Sequence, residues 1–455
     1  MKKYINICLW AVVVMSSLSL ASCKNEVDEI FDDDAVARLD KAKNNYISIL
    51  TNNGEGCRWQ MEYFANADEP GYIYLMTFAK DGTVTISGRN EWIDHVVGGS
   101  GTLKTYGSEV SLWEVITDNG PVLSFNTFNK YFHLFADPED IPAAAGASSD
   151  NDTDETGYGH EGDYEFDLMK YSNDTLYITG KKYGIDMIMT RVPDKYADKD
   201  DVTYMDEVVA LTDSFFNAKL PQVYLNLPDG NRWIVKEGAS GIIKMFREGA
   251  DEISTSEYHN IIITHDGVSF MNPVTIDGVT MQHFDKQDDG SLLSRSDGQT
   301  TMTADELSLI FSDQDFTWWM YPENAGGTYA DYCAILNDEL YSYNKTSLEY
   351  MQITYEAANS CYSVGFYAKK GAAKYLPKYY ADMEVIGENQ VKFVINKEGD
   401  RTGKSYITNC PTIGTILDLI NSSTFELSAN SLLLPINMRL ETVGNTSDYM
   451  VWTLQ

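Results

Sequence analysis

The sequence predicts a mainly β protein of two antiparallel β domains, the first a lipocalin-like barrel, with a few short helices. Three observations point there. Short runs rich in β-branched and aromatic residues follow one another through most of the chain. Asp-Gly pairs punctuate them at Asp81-Gly82, Asp229-Gly230, Asp266-Gly267, Asp277-Gly278, Asp289-Gly290 and Asp297-Gly298. Helical periodicity is confined to a few short stretches. An Asp-Gly pair between two strand-like runs favours the tight turn of a hairpin, because glycine takes positive φ without a steric penalty.

Residues 34–50 read as one helix. Asp34 can cap it, Val36, Leu39, Tyr46 and Leu50 share a face, and Gly54 and Gly56 stop it. Strands are then expected at 59–64, 72–78 and 83–87, at 101–106, 109–116 and 122–125, and at 164–169, 175–180 and 186–191. About nine short antiparallel strands suit an up-and-down barrel, which closes its own edges; this is the lipocalin-like unit of residues 34–200. A loop rich in Ala, Ser, Asp and Gly interrupts it at 138–162. Residues 194–201 form a charged linker and 203–216 a connecting helix. The C-terminal β-rich domain, 201–455, repeats the same grammar without a fixed repeat period. Thr303-Ala304-Asp305-Glu306 is a capping box opening a helix to Phe311, and residues 411–421 give another. Strands are expected at 361–368, 383–386, 390–395, 425–428, 438–443 and 449–454.

The N-terminus carries an address. Met1-Lys2-Lys3 is followed by an apolar run from Ile5 to Leu20, too short to span a membrane comfortably. Leu20-Ala21-Ser22-Cys23 resembles a bacterial lipobox, which makes residues 1–22 a signal peptide and Cys23 the lipidated first residue of the mature chain. Two or three acyl chains such as palmitate are needed, since one chain holds weakly. Residues 23–33 then form a lipidated acidic tether, with Glu26, Asp28 and Glu29 behind Cys23 and the run Asp32-Asp33-Asp34 at its end. Such acidic tethers resemble the export signal of surface lipoproteins in Bacteroides-type bacteria. The expected location is the outer membrane, anchored by lipid and facing the cell surface, with the periplasmic face as the alternative.

The formal net charge of −34 opposes nucleic acid and any anionic surface, and favours cations and neutral ligands. Removing Cys8 and lipidating Cys23 leaves Cys57, Cys333, Cys361 and Cys410. In an exported protein these allow two disulfides, in three connectivities, or four buried thiols. Neither CxxC nor a cysteine–histidine cluster at zinc spacing is present.

Candidate chemistry is sparse. Asp150, Asp152 and Asp154 alternate, and Glu161 stands where a twelfth-position calcium ligand would, so the loop is a candidate Ca²⁺ site; Glu155 replaces the glycine such a loop needs. Gly157 to Gly162 matches GxGxxG but leads into a strand, not a helix, which excludes a dinucleotide site. Trp318 and Trp319, with Phe316 and Tyr321, form the densest aromatic cluster and the candidate ligand-binding surface, since flat rings stack on sugars. No GxSxG, HExxH or Walker-type loop occurs, so no catalytic residue is assigned.

Several segments together carry a resemblance: Trp59-Gln60-Met61-Glu62-Tyr63-Phe64, Phe78 to Val84, Gly120 to Thr127, His133 to Pro138 and Gly162-Asp163-Tyr164-Glu165-Phe166. With the lipobox, they are similar to a Bacteroides-type lipoprotein family known only as a domain of unknown function, number 4302. The likeness runs over most of the mature chain and is strongest over 34–193. It implies an envelope protein grouped with glycan-uptake systems, and supplies no functional residue. The function expected is a non-catalytic binding component of a surface uptake system, taking a glycan or other ligand or an outer-membrane protein partner. A structural or protein-interaction subunit, and a glycan hydrolase using paired carboxylates, are the alternatives.

Overall fold

A computed structural model describes residues 34–67, 69–136, 160–216, 219–238 and 242–455. The signal peptide, Cys23 and the tether to residue 33 lie outside the described residues. So do Asp150, Asp152 and Asp154. The protein is mainly β, with three antiparallel sheets of barrel or half-barrel shape.

Helix α1 (Ala35–Leu50) opens the chain, with Asp34 Oδ1 accepting from the Ala37 N–H at 2.7 Å as the sequence suggests. The first sheet follows: β1 (Arg58–Tyr63), β2 (Tyr72–Phe78), β3 (Thr83–Asn90), helix α2 (Glu91–Val96), then β4 (Thr105–Leu112), β5 (Glu114–Thr117), β6 (Pro121–Ser124), β7 (Glu165–Ser172), β8 (Thr175–Gly180) and β9 (Asp186–Arg191). Residues 101–104, expected in a strand, instead turn: Asp94 accepts from the Gly101 N–H and the Thr105 hydroxyl. The strand order is β4-β3-β2-β1-β9-β8-β7-β6-β5. Every sequential pair is hydrogen-bonded except β4 and β5, the two edges, and these are joined by one residue, Trp113. The barrel is therefore an up-and-down ring completed by a bent strand. Trp113 holds the bend: its N–H donates to Gly82 O, its indole donates to Ala79 O, and its ring meets Phe78 edge-on at 4.9 Å.

Helix α3 (Asp201–Phe216) leads to the second sheet: β10 (Val223–Asn226), β11 (Arg232–Glu237), β12 (Ile243–Arg247), helix α4 (Glu252–Thr255), then β13 (Glu257–His259), β14 (Ile261–Thr264), β15 (Gly267–Ile276), β16 (Val279–Lys286), β17 (Leu292–Ser294) and β18 (Thr301–Thr303). Its order, β13-β12-β11-β10-β18-β17-β16-β15-β14, is that of the first sheet with each number raised by nine. Its edges are again joined by a single residue, Asn260. Both units share one plan, a long helix, three strands, a short helix and six strands, which the sequence did not reveal as a repeat. Asp277 (φ 48°) and Gly278 (φ 82°) make the tight turn expected between β15 and β16.

Helix α5 (Leu307–Phe311) starts later than the capping box implied, because Thr303 pairs with Tyr224 in the sheet and Arg232 engages Asp305 at 2.8 Å. The third sheet comprises β19 (Thr317–Met320), β20 (Ala325–Gly326), β21 (Ser347–Glu356), β22 (Cys361–Lys370), β23 (Ala373–Tyr375), β24 (Lys378–Gly387), β25 (Gln390–Asn396), β26 (Thr424–Ala429), β27 (Asn437–Thr442) and β28 (Asn445–Leu454). Helix α6 (Thr328–Asn344) precedes β21; α7 (Arg401–Asn409) and α8 (Thr412–Ser422) precede β26. The β19–β28 pairing closes this ring through hydrogen bonds. The stretch 201–455, grouped as one unit from sequence, thus holds two sheets, each with its own core.

All three interiors are filled with side chains. Trp59, Tyr63, Tyr74, Phe125 and Phe166 pack inside the first, so among the described residues its centre is core where a lipocalin keeps an open chamber. Helix α3 couples the first two units. Tyr204, Met205 and Val208 pack into the first core, while Leu211 and Phe215 pack into the second. The third unit reaches back through Leu433, which is buried in the second core. Tyr204 hydroxyl donates to Gln60 Oε1 at 2.8 Å on the outer face of β1. Tyr204→Phe should leave that buried acceptor unpaired and destabilise the chain by about 1–3 kcal/mol. Urea unfolding would measure it, and an unchanged midpoint would refute this role for α3.

Candidate functional site

Concave surfaces lie outside the rings: one of about 530 Å³ is between α3, the second barrel and the third unit, lined by Leu211, Leu292 and Leu434, and two more lie where the first two barrels meet. Hydrogen bonds join these two barrels directly at the bend of the second: the side-chain Nδ2 of Asn260 donates to Ala67 O, and the Gly71 backbone N–H to Ile261 O at 3.4 Å.

On one side of this seam is a cleft of about 370 Å³. Its floor is apolar: Ile73 from β2, Met205, Val208 and Val209 from α3, and Ile261 and Ile263 from β14. Its rim is polar: Arg89, Glu91, Thr102, Lys104 and Glu237. Arg89 is fixed by Asp206 on α3 at 2.5 Å. Glu91 accepts from the Tyr72 hydroxyl at 3.3 Å, and that hydroxyl accepts from Trp92 Nε1 at 2.6 Å. Burial, and next the Glu91 charge, push the Tyr72 phenol well above its ordinary pKa, so it stays a donor. An apolar floor under a rim of donors and acceptors suits a ligand with one apolar face and hydroxyls at its edge.

On the other side is a cavity of about 430 Å³ between the outer face of β1, β8 and β9 and the β15–β16 hairpin. The β15 register slips between Ser269 and Val274, and this bulge presents Met271, Asn272 and Pro273 to the cavity. Glu62, 7 % exposed, is in its wall. No described residue hydrogen-bonds its carboxyl. Burial raises its pKa to about 7, opposed only by the charge of Arg295. Arg295 is itself held by Asp285 through two bonds, at 3.2 and 2.6 Å. Nearby, His283 Nδ1 and Ser269 Oγ lie 2.9 Å apart across the ladder; burial, and next Arg295, hold the imidazole below its usual pKa and neutral.

The residues singled out from sequence are not brought together. Trp318 is 1 % exposed and faces the third core, so its ring is closed to any ligand; Phe316 packs against the same core. Trp319 faces outward but stacks on Tyr350 (4.0 Å), which stacks on Tyr367 (4.5 Å), with Tyr321 edge-on to Tyr350. A sugar needs a free flat face, and here the inner faces are spent on neighbouring rings; the ladder is a cross-strand clamp. Glu161 is exposed at positive φ, and no described group of three or more His, Cys, Asp or Glu residues is arranged to hold a metal ion. Cys57, Cys333, Cys361 and Cys410 are all free thiols, with no bridge among them. Burial lifts Cys333 and Cys410 to about 11, which keeps them unreactive.

Sequence reasoning missed Arg89, Glu91 and Glu62. Each sits at the outward position of an ordinary strand or helix start, and becomes part of a wall only when a barrel some 200 residues away covers it. Part of the shared motif is explained by packing instead. A Cβ on Gly162 would lie 2.2 Å from the Tyr63 hydroxyl, and Asp163 accepts from the Lys182 and Tyr183 N–H groups. Buried His160, just ahead, pairs with Glu69.

A family model described as "Domain of unknown function (DUF4302)" matches residues 27–288, which is the first barrel and the second as far as β16. No curated protein sequence matches the chain. Among solved structures, the DNA polymerase β subunit of Streptococcus pyogenes aligns over 90 % of this chain and 97 % of its own, at 10 % identity and a TM-score of 0.14. A sliding clamp of Bartonella birtlesii bound to griselimycin aligns over 92 % and 96 %, at 9 % identity and a TM-score of 0.11. At these scores the likeness carries nothing for fold or function.

Glu62 makes a clean stability test. Its folded pKa of about 7 lies above the ordinary 4.5, so the native state holds a proton that the unfolded chain has lost, and stability falls as pH rises across that window. Glu62→Gln should therefore gain up to about 3 kcal/mol more, relative to wild type, at pH 8 than at pH 4. Denaturant midpoints at the two pH values would show it; an equal difference at both would mean the group does not titrate between them.

Proposed function

We propose that this chain, which belongs to the DUF4302 family, is a lipid-anchored protein of the outer membrane that captures a neutral glycan for a surface uptake system without transforming it. The observation that carries the reading is the cleft at the barrel seam, with its apolar floor of Ile73, Met205, Val208 and Ile261 under a rim of Arg89, Glu91 and Lys104. A pyranose has the same division, with C–H groups on its faces and hydroxyls around its edge. Recognition by hydrogen bonds at a preformed rim costs little ordering of the protein. The net charge of −34 disfavours anionic polymers and leaves neutral sugars unopposed. The lipobox and acidic tether supply the address.

Two measurements test it. Cys23→Ala should abolish incorporation of labelled palmitate and leave unprocessed precursor; undiminished labelling would end the lipoprotein reading. The chain lacking residues 1–23 should bind on a glycan array without releasing product. Val209→Trp, which fills the cleft, should cut that binding at least tenfold at unchanged melting temperature, whereas Trp319→Ala should leave it intact. Silence across the whole array would reject glycan capture and favour a protein-interaction subunit. Loss in Trp319→Ala alone would move the site to the third barrel.

A further inference from the structure

We propose that the cavity on the other side of the seam is a second binding site, independent of the glycan cleft, for a small cationic molecule whose ammonium or guanidinium group pairs with Glu62. The walls are assigned by charge. Glu62 and Asp186 contribute carboxyls, and among the described residues no lysine or arginine lines the cavity. Asp186 already accepts from the Thr179 hydroxyl at 2.6 Å, while the carboxyl of Glu62, a residue more than nine-tenths buried, faces the cavity with no hydrogen-bond donor among the described residues. Buried polar groups are almost always hydrogen-bonded, and a charged one left without a donor is costly. A ligand N–H group directed at Glu62 supplies both the missing donor and the missing charge. Phe64, Met169, Met271 and Pro273 then give apolar surface for the carbon skeleton.

The groups facing Glu62 fit this assignment. From β8 comes the phenol of Tyr177, from β9 Asp186, and from β16 the neutral His283. Tyr204 on α3 feels the Glu62 charge. Arg295 is the cation in electrostatic contact, and Asp285 neutralises it through the two bonds already described. An anionic ligand would meet Glu62 and Asp186, and among the described residues no lysine or arginine in the lining answers it; the ammonium of Lys170 lies over the Tyr177 ring, 5.6 Å from its centre. A neutral ligand would forgo the charge pairing. Because the occupant binds the ionised carboxyl, its affinity must fall as Glu62 takes up a proton.

The test uses the full-length chain and three isosteric probes: cyclohexylamine, cyclohexanol and cyclohexanecarboxylate. The amine should bind at least tenfold tighter than the alcohol at pH 8 by calorimetry, with no binding of the carboxylate. Its affinity should be about tenfold weaker at pH 6, since the amine stays protonated throughout and the ionised fraction of Glu62 drops by about that factor. Glu62→Gln should erase both the preference and the pH dependence. Met271→Trp fills the cavity from the other barrel without touching the carboxyl, and should abolish binding. Val209→Trp, which blocks only the glycan cleft, should change none of these values, so failure of one site is distinguishable from failure of the other. Equal affinity for amine and alcohol, a preference that survives Glu62→Gln or Met271→Trp, or no amine binding at tens of millimolar would each overturn the proposal.

Discussion

A sheet of nine strands has two rows of unpaired N–H and C=O groups, and this chain cannot leave them open without inviting another strand to add on. In the first two barrels the solution is a bend. One strand runs along one edge, turns at a single residue, and continues along the other. The two bends are built from opposite materials. Trp113 plugs the first with a buried indole that reaches the β2–β3 turn. Asn260 makes the second with a side chain that points out of its own barrel and hydrogen-bonds Ala67 of the other. The same residue that completes one ring thus docks it against its neighbour. The third barrel needs no such device, because β19 and β28 pair directly.

Closure by filled rings decides where function can be. Among the described residues, interiors packed with Trp, Tyr, Phe and Met put the concave surfaces outside the rings, on faces that one barrel alone would expose to water. The outer face of β1 shows this most directly. Gln60 and Glu62 alternate with the core residues Trp59, Met61 and Tyr63, and on an isolated barrel both would be solvated. Helix α3 covers Gln60 and satisfies it through Tyr204. The β15–β16 hairpin covers Glu62 and does not satisfy it. Similar positions on one strand are therefore treated in opposite ways, one as structure and one as an open demand.

Much of the first barrel was legible in the sequence. The runs 72–78, 175–180 and 186–191 became strands with those bounds, and the Asp34 cap and the turns at Gly82, Gly230, Gly278, Gly290 and Gly298 formed where local chemistry placed them, while Gly267 instead opens β15. These signals are local: alternation of side chains, a carboxylate one turn ahead of free N–H groups, a glycine at positive φ. Helix α6 was not legible although it is the longest among the described residues. Its N-cap is Gly327, which has no side chain to cap with, and its first N–H, that of Thr328, donates to Asp448 on β28, the strand paired with β20. A cap supplied from 120 residues away leaves no mark beside the helix. The repeat of the first two barrels was hidden for a related reason. What is shared is the order of pairing, while bends as different as Trp113 and Asn260 can serve the same step. The site was the least legible part, since its walls come from both repeats and only docking makes them concave.

The buried carboxyl then acquires a meaning beyond its own strand. Desolvation of Glu62 arises only when the two barrels are docked, so its cost is part of the free energy of docking rather than of folding either ring. Any ligand group that donates to it recovers part of that cost in the docked state alone, and mass action then favours that state. The same holds for the cleft beyond α3, whose floor is shared between Met205 and Val208 of the connecting helix and Ile261 and Ile263 of the second barrel. A ligand in either place touches both repeats at once. Occupancy at the seam and the relative position of the barrels are for that reason one equilibrium, held on one side by the helix and on the other by the bend at Asn260.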